Sequence, residues 1–281
     1  MDSGFVDILI LFYNKVNQTI SCINSFLPSG QDIYVLNNGS DPEQLKKLKQ
    51  TFAGNDRVNI IDAGKNMGVS GGRNILIQHA KATWLFSVDN DITIRHQHDW
   101  VEILQQFLNS NSKVKIVSPL LYNVHEQANS LQLRVRLDNN RMLVETGVFS
   151  VSNCFPGGAS LIHRSVFENY GFFDEAMFVG FEDYEFALRA MFSEKGSLEV
   201  YSFDAIELIH DHVFQKSNID KESVKKRYDE ERMRASYDWL VNKFGIDFDH
   251  DWRWWTINQV NMMTTQPWKR RLKDFILRFR S

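Results

Sequence analysis

The sequence predicts an α/β fold built on a mostly parallel sheet flanked by helices. Two observations carry this. Through the first half of the 281 residues, short apolar runs alternate with amphipathic stretches of helical length. Strands separated by helices of that size form βαβ units with parallel pairing and right-handed crossovers. The second observation is that polar clusters follow one apolar run after another: Tyr13-Asn14, Asn37-Asn38-Gly39, Asn66 and Asp89-Asn90-Asp91. Ligands of an open parallel sheet bind beyond the carboxyl ends of its strands, so these clusters together predict a site.

Taken in order, "VDILILFYN" (6–14) reads as a buried strand. "QTISCINSFLPSG" (18–30) reads as a helix with Ile20, Ile23, Phe26 and Leu27 on one face, stopped by Pro28 and Gly30. "DIYVLNNGS" (32–40) is a second strand running into a polar turn. In "DPEQLKKLKQTFA" (41–53), Asp then Pro are the expected N-cap and first helical residue. "VNIIDAG" (58–64) gives a third strand, "GGRNILIQHAKA" (71–82) a helix and "TWLFSVDND" (83–91) a fourth strand. The second half is less regular. A helix around 100–108 precedes a strand in "KVKIVSPLLYN", and 131–155 reads as one or two antiparallel strands. A helix carrying Phe186, Ala187 and Ala190 on its core face follows Glu182 and Asp183. A strand in "GSLEVYSFDAIELIH" (196–210) and a charged helix around 221–243 come next.

Composition narrows the function. Apolar content of 43% and charged content of 24% are those of a globular protein, and a net charge of -3 argues against nucleic acid as a partner. Cys22 and Cys154 have no paired spacing, so neither a disulfide framework nor a zinc knuckle is predicted. The apolar run near the N-terminus follows acid rather than base, unlike a secretory signal, and no stretch approaches the ~20 apolar residues of a membrane span. The expectation is a cytoplasmic protein, peripheral at most.

The residue types at the strand ends suit particular chemistry. Asp89 and Asp91 either form a solvated turn or offer oxygen ligands to a hard cation such as magnesium or manganese, together with substrate phosphate. Gly68, Gly71 and Gly72 allow close approach to a ligand, and Arg73 and Asn74 follow at the start of a helix, whose N-terminus favours anions. Acids in the first turn of a helix, as Glu182 and Asp183 are, also serve simply as partners of the helix dipole.

The segments "ILILFYNK", "YVLNNGSD", "NMGVSGGRN", "LFSVDND", "GGASLIHRSVFENYGFFDE" and "FVGFEDYEFALR" occur in the order and spacing of the inverting family 2 glycosyltransferases of GT-A fold, which the chain resembles over roughly residues 5 to 212. The resemblance implies a GT-A, Rossmann-like sheet over residues 1–218, its nucleotide-binding half about 1–95 and its acceptor half about 96–218. Residues 219–281 would then be a helical C-terminal extension. It also implies roles. Phe12, Tyr13 and Asn14 would line the base pocket, and Asn37 and Asn38 would reach the base or ribose. Asn37 departs from the aspartate common there, which leaves the identity of the base open. Arg73 and Asn90 would lie along the nucleotide or diphosphate, and Asp89 would hold the ribose or donor sugar. Asp91 would ligate the divalent cation (Mn or Mg). Gly157 and Gly158 would floor the donor-sugar and acceptor site, Asp183 would be the general base, and Glu182 would position the acceptor or the base. His210 would complete the metal shell, with His212 as the alternative.

The implied reaction moves a sugar from a UDP- or dTDP-linked donor to a hydroxyl of a glycan or lipid-linked acceptor, in polysaccharide or cell-envelope glycan synthesis. The tail "WKRRLKDFILRFRS" (268–281) has six Lys or Arg and one Asp, with Leu272, Phe275, Ile276 and Phe279 at helical spacing. It fits either a helix in an anionic membrane interface, at the inner face of the cytoplasmic membrane, or a helix docked on protein. The rival readings are a catalytically inactive sugar-nucleotide-binding subunit of the same fold and a sugar nucleotidyltransferase. The second would want a basic, glycine-rich loop after the first strand, where "LFYNKVNQT" stands.

Overall fold

The computed structural model describes residues 4–96, 98–211 and 230–248. Its elements in the first half are β1 (Val6–Phe12), α1 (Val16–Phe26), β2 (Asp32–Asn37), α2 (Pro42–Thr51), β3 (Val58–Asp62), α3 (Gly68–His79), β4 (Trp84–Asp89), β5 (Ile92–Ile94) and α4 (Trp100–Ser110). There follow β6 (Ile116–Asn123), β7 (Ala128–Asn129), β8 (Gln132–Asp138), β9 (Arg141–Gly147), β10 (Val151–Ser152), β11 (Ala159–His163), α5 (Ser165–Tyr170), α6 (Glu182–Met191) and β12 (Val200–His210). Last come α7 (Glu230–Phe244) and β13 (Asp247–Phe248).

The main sheet runs β10-β12-β6-β11-β4-β1-β2-β3. Strands β3, β2, β1 and β4 are parallel, as the βαβ pattern predicts, and β11 enters antiparallel between β4 and β6. A second small sheet of β13, β9 and β8 stands apart, its hairpin turned by Asn139 and Asn140 at positive φ, a conformation asparagine tolerates. Helices cover both faces of the main sheet. On one face, Ile8, Ile10, Phe12, Val35, Phe26, Phe86 and Trp100 pack with α1, α2 and α4. On the other, Leu9, Leu36, Leu76, Leu85, Phe173 and Phe186 pack with α3, α5 and α6. Each such buried side chain contributes roughly 1.5–3 kcal/mol relative to exposure.

The boundaries show local chemistry at work. β1 stops at Phe12 rather than running to residue 14, because Asn14 and Lys15 take left-handed φ values of 57° and 56° and turn the chain into α1. Helix α1 ends at Phe26; Pro28 forces a short 3-10 turn, Leu27–Ser29, and Gly30 at φ 72° closes it. At α2 the predicted cap is realised: the Asp41 side chain accepts from the Glu43 N–H at 2.9 Å, with Pro42 behind it.

Residues 230–248 are built into the second half. Met233, Leu240 and Ile246 share a core with Val135, Met142, Met177, Val179, Phe181, Ala187 and Leu188, and β13 pairs with β9. The part of the C-terminal extension that is described is thus packed where it touches α6. The basic tail and His212 lie outside the described residues. Among the described residues, no helix is long and apolar enough to cross a membrane.

Candidate active site at the carboxyl edge of the sheet

Four segments meet beyond the ends of β1 and β4. Asp89 closes β4, and its backbone N–H donates to Gly158 O at 2.8 Å, which lays the Gly157-Gly158 turn across the strand end. Arg73, on the second turn of α3, reaches over this turn. Its Nη2 donates to Asp89 Oδ1 at 3.1 Å and its Nη1 to Glu182 Oε1 at 3.2 Å. The guanidinium side chain is 7% exposed and Glu182 12%, whereas Asp89 is 32% exposed and is the member open to a ligand. Asp183 lies beside them, its Oδ1 accepting the Gly157 N–H at 3.1 Å. A Cβ on Gly158 would overlap the Asp89 carboxylate, and one on Gly157 would meet Arg73 and, at 2.8 Å, Asp183 Oδ1. Both glycines are therefore required by close approach.

The electrostatics follow from this crowding. Burial works against the Arg73 charge, but Asp89, Glu182 and Asp183 more than offset it and hold its pKa above the usual value. For Asp183, burial first and then the neighbouring Glu182 push the carboxyl up to about 8, against the lowering effects of Arg73 and the Gly157 N–H. A carboxylate raised in this way is a stronger base, poised near neutral pH. Burial also pushes the Cys22 and Cys154 thiols up. Each donates weakly to a backbone carbonyl of the site, Cys22 to Asp89 O (3.7 Å) and Cys154 to Asp183 O (3.6 Å), so both are packing residues under the acids.

A second cluster adjoins the first. β5 pairs with β12 so that Ile92 faces His210 in register, which brings His210 to Asp91. His210 Nε2 is 3.2 Å from Asp91 Oδ1, and its Nδ1 is 3.1 Å from Asn123 Oδ1. An outer partner on Nδ1 fixes the ring and aims Nε2 at the acid, the arrangement found around metal-bound histidines. Lys15 Nζ lies 3.9 Å from the other Asp91 oxygen. The donor set, one carboxylate and one imidazole, fits a Mg²⁺ or Mn²⁺ ion that keeps water and takes substrate oxygens for the rest of its shell. Among the described residues no group of three or more His, Cys, Asp or Glu could hold an ion by itself.

The remaining predicted residues are placed differently. Phe12 is fully buried in the core between sheet and helices, so it cannot line a base pocket; its side chain alternates inward with Ile8 and Ile10, and only half-buried Tyr13 stays at the edge. Asn38 is a loop staple: it donates to Gly68 O at 2.9 Å and accepts from Met67 N at 2.8 Å. Asn90 turns inward, donating to Thr19 Oγ1 at 2.9 Å, and Asn14 accepts from Asp41 N at 3.0 Å. Asn37 is 3% exposed and bound to Asp62. The start of α3 is not an open anion site either. The Gly68 N–H goes to Asn66 Oδ1 and the Val69 N–H to Phe178 O. Glu182 and Asp183 do not precede α6 but form its first turn, entered through Phe181 at φ 66°.

Sequence reasoning missed Glu185. It is fully buried, paired with Arg189 (2.9 and 2.8 Å) and with Lys243 of α7 (2.8 Å), which also binds Asp174 at 2.7 Å. The Glu-Arg spacing of four within "EDYEFALR" was the available signal.

A mostly parallel sheet with acids, an arginine and a glycine floor at its carboxyl edge defines a GT-A-type glycosyltransferase fold. The protein-family comparison agrees: the model for Glycosyl transferase family 2 matches residues 7–171, and the chain belongs to that family. Among curated relatives, the low-salt glycan biosynthesis hexosyltransferase Agl10 of Haloferax volcanii is 24% identical over 221 residues, 73% of this chain and 67% of that protein. Among solved structures, GalNAc-T7 with UDP, GalNAc and Mn²⁺ aligns with a TM-score of 0.59 and 14% identity over 93% of this chain and 57% of that one. Residues 1–349 of S. aureus TarS in complex with UDP align with a TM-score of 0.55 and 13% identity, over 86% of this chain and 72% of that one. The chain thus spans 57% of GalNAc-T7, and only 56% of another curated relative, from Haemophilus influenzae.

Proposed function

We propose that the protein transfers a sugar, with inversion, from a UDP- or dTDP-sugar to an acceptor hydroxyl on a glycan or lipid-linked glycan, at the cytoplasmic side of the membrane. The observation that carries this reading is the meeting of Asp183, Arg73 and Asp89 over the Gly157-Gly158 floor, with Asp91 and His210 alongside. Asp183 takes the proton of the acceptor hydroxyl as its oxygen forms a bond to the anomeric carbon. The bond from that carbon to the diphosphate breaks on the opposite face, and the nucleoside diphosphate leaves. Arg73 holds Asp89 and Glu182 in place, so that the exposed side of Asp89 meets the donor sugar or ribose and Glu182 keeps the acceptor end of the site ordered. Asp91 and His210 would hold a divalent cation, whose chemistry is to neutralise charge on the leaving diphosphate. The hexosyltransferase relative and the UDP- and Mn²⁺-bound neighbours support the donor and cation assignments by likeness of sequence or fold.

Incubation of the protein with UDP- and dTDP-sugars, Mn²⁺ and a panel of lipid-linked and free glycans tests this. Release of nucleoside diphosphate that depends on acceptor, and that is lost in Asp183→Asn and Asp91→Ala, is the expected result. Equal release from wild type and both variants would sink the assignment.

A further inference from the structure

Asp62 ends β3 directly beside Asn37, its partner in the parallel register of β2 and β3. The Asn37 amide is consumed by protein: Nδ2 donates to Asp62 Oδ1 at 2.9 Å, and Oδ1 accepts the Ser40 N–H at 3.0 Å. With 3% exposure it has little surface left to offer a ligand. Asp62, by contrast, is exposed. Its Oδ1 accepts twice, from Asn37 and from the Gly64 N–H at 3.0 Å, which saturates that oxygen, and Oδ2 has no protein partner among the described residues. The two strand ends are pressed together at this point, since a Cβ on Gly39 would lie 2.6 Å from the Asn66 nitrogen. Asp62 therefore stands on the same edge as Tyr13 and Asn37, the residues that the family resemblance puts at the base.

We propose that Asp62, held by Asn37, is the residue that reads the donor's base, and that it selects uracil or thymine through the ring N3–H. A carboxylate oxygen is acceptor-only. It pairs with the imide N–H of uracil or thymine and opposes the lone pairs of cytosine N3 and adenine N1. Guanine would present two adjacent donors to a carboxylate fork, but one oxygen of this fork is already filled. The Gly64 N–H first, and then Asn37, hold the Asp62 carboxyl below the usual range, so the acceptor is ionised throughout the working pH. This inference rests on the nucleotide-sugar reading above and deepens it.

Calorimetric titration of UDP, dTDP, CDP, GDP and ADP, each with Mn²⁺, into wild type, Asp62→Asn, Asp62→Ala and Asn37→Ala decides the matter. Wild type should bind UDP and dTDP at least about tenfold tighter than CDP, GDP or ADP, the worth of one hydrogen bond to a charged group. Asp62→Asn keeps the bonds to Asn37 and Gly64 but turns the outer acceptor into a donor, so the UDP-to-CDP ratio should collapse or invert. Asp62→Ala should weaken UDP alone, and Asn37→Ala should weaken it less. Melting temperatures within a few degrees of wild type would show that the variants fold. A UDP-to-CDP ratio unchanged in both Asp62 variants makes Asp62 a turn residue only and overturns the inference while the donor reading stands. A wild type that prefers GDP overturns it as well. No binding of any nucleoside diphosphate to wild type overturns the donor reading, and this inference with it.

Discussion

Asp183→Asn separates chemistry from stability, because the same crowding that suits Asp183 to the proposed role of base makes its charge costly. Asparagine can keep the Oδ1 contact to the Gly157 N–H at 3.1 Å while removing the negative charge beside Glu182. Transfer should fall by roughly 10²–10⁴, the usual worth of a general base. Stability should move the other way, and the pH window follows from the shift. The folded carboxyl, at about 8, lies above its ordinary value of 3.8, so its contribution is fully present below pH 4, declines as pH rises and is gone above about 8. Asparagine does not titrate, so the variant should gain on wild type across that window and hold a constant lead beyond it. Some four units at about 1.4 kcal/mol each set a ceiling near 6 kcal/mol. Partial solvation and sharing of the proton with Glu182 reduce this to about 2 kcal/mol, or roughly 4–8 °C in melting temperature for a domain of this size. Melting curves of both proteins from pH 5 to pH 9 in chelator supply the measurement. Parallel curves with no divergence would refute the reasoning, since they would mean that Asp183 is ionised at ordinary pH and carries no stored repulsion.

Three further outcomes are expected. Gly158→Ala drives a methyl into the Asp89 carboxylate and should swing it off Arg73, lowering transfer by about a hundredfold for a displacement near 1 Å, as steady-state kinetics would show. Lys243→Met leaves the fully buried Glu185 with Arg189 as its remaining charged partner and should cost about 1–3 kcal/mol in urea denaturation, with Lys243→Arg recovering much of it. Asn123→Ala removes the group that orients His210 and should weaken Mn²⁺ binding about ten- to a hundredfold, read from free Mn²⁺ by electron paramagnetic resonance, without lowering the melting temperature of the metal-free protein appreciably.

The framework was legible in the chain because its signals are local. Alternating runs, the Asp41-Pro42 cap and the Pro28-Gly30 stop each act within a few residues, and they place the parallel strands β1 to β4 and their helices. Asp89, Asp91 and Asp183 were legible as candidates because acids at strand and helix ends stand out against apolar runs. What was not legible is how polar residues divide their duties. Asn37, Asn38 and Asn90 occupy the positions a ligand contact would, yet their amides bind Asp62, Gly68 and Thr19. Sequence spacing cannot tell a loop staple from a ligand contact, because the deciding partners lie 25 or more residues away. Phe12 was misplaced for a simpler reason: a strand's last residue still alternates, and its turn was inward. The role of α7 was hidden because Lys243 finds Glu185 across 58 positions.

The short stretch between Phe173 and Phe181 links three of the helices around the candidate site. It binds α3 through Asn74, Ser70 and Val69, meets α7 through Asp174 and then runs directly into the turn bearing Asp183. The helix that carries Arg73 and the helix that carries Asp183 are thus spaced by a few covalently joined residues, much as two teeth are spaced by the gum between them. The proposed donor and acceptor ends of the site share one ruler. Lengthening that stretch by a residue would re-space the two ends, while the same insertion in the turn at Asn139-Asn140, far along its own hairpin, would leave their separation untouched.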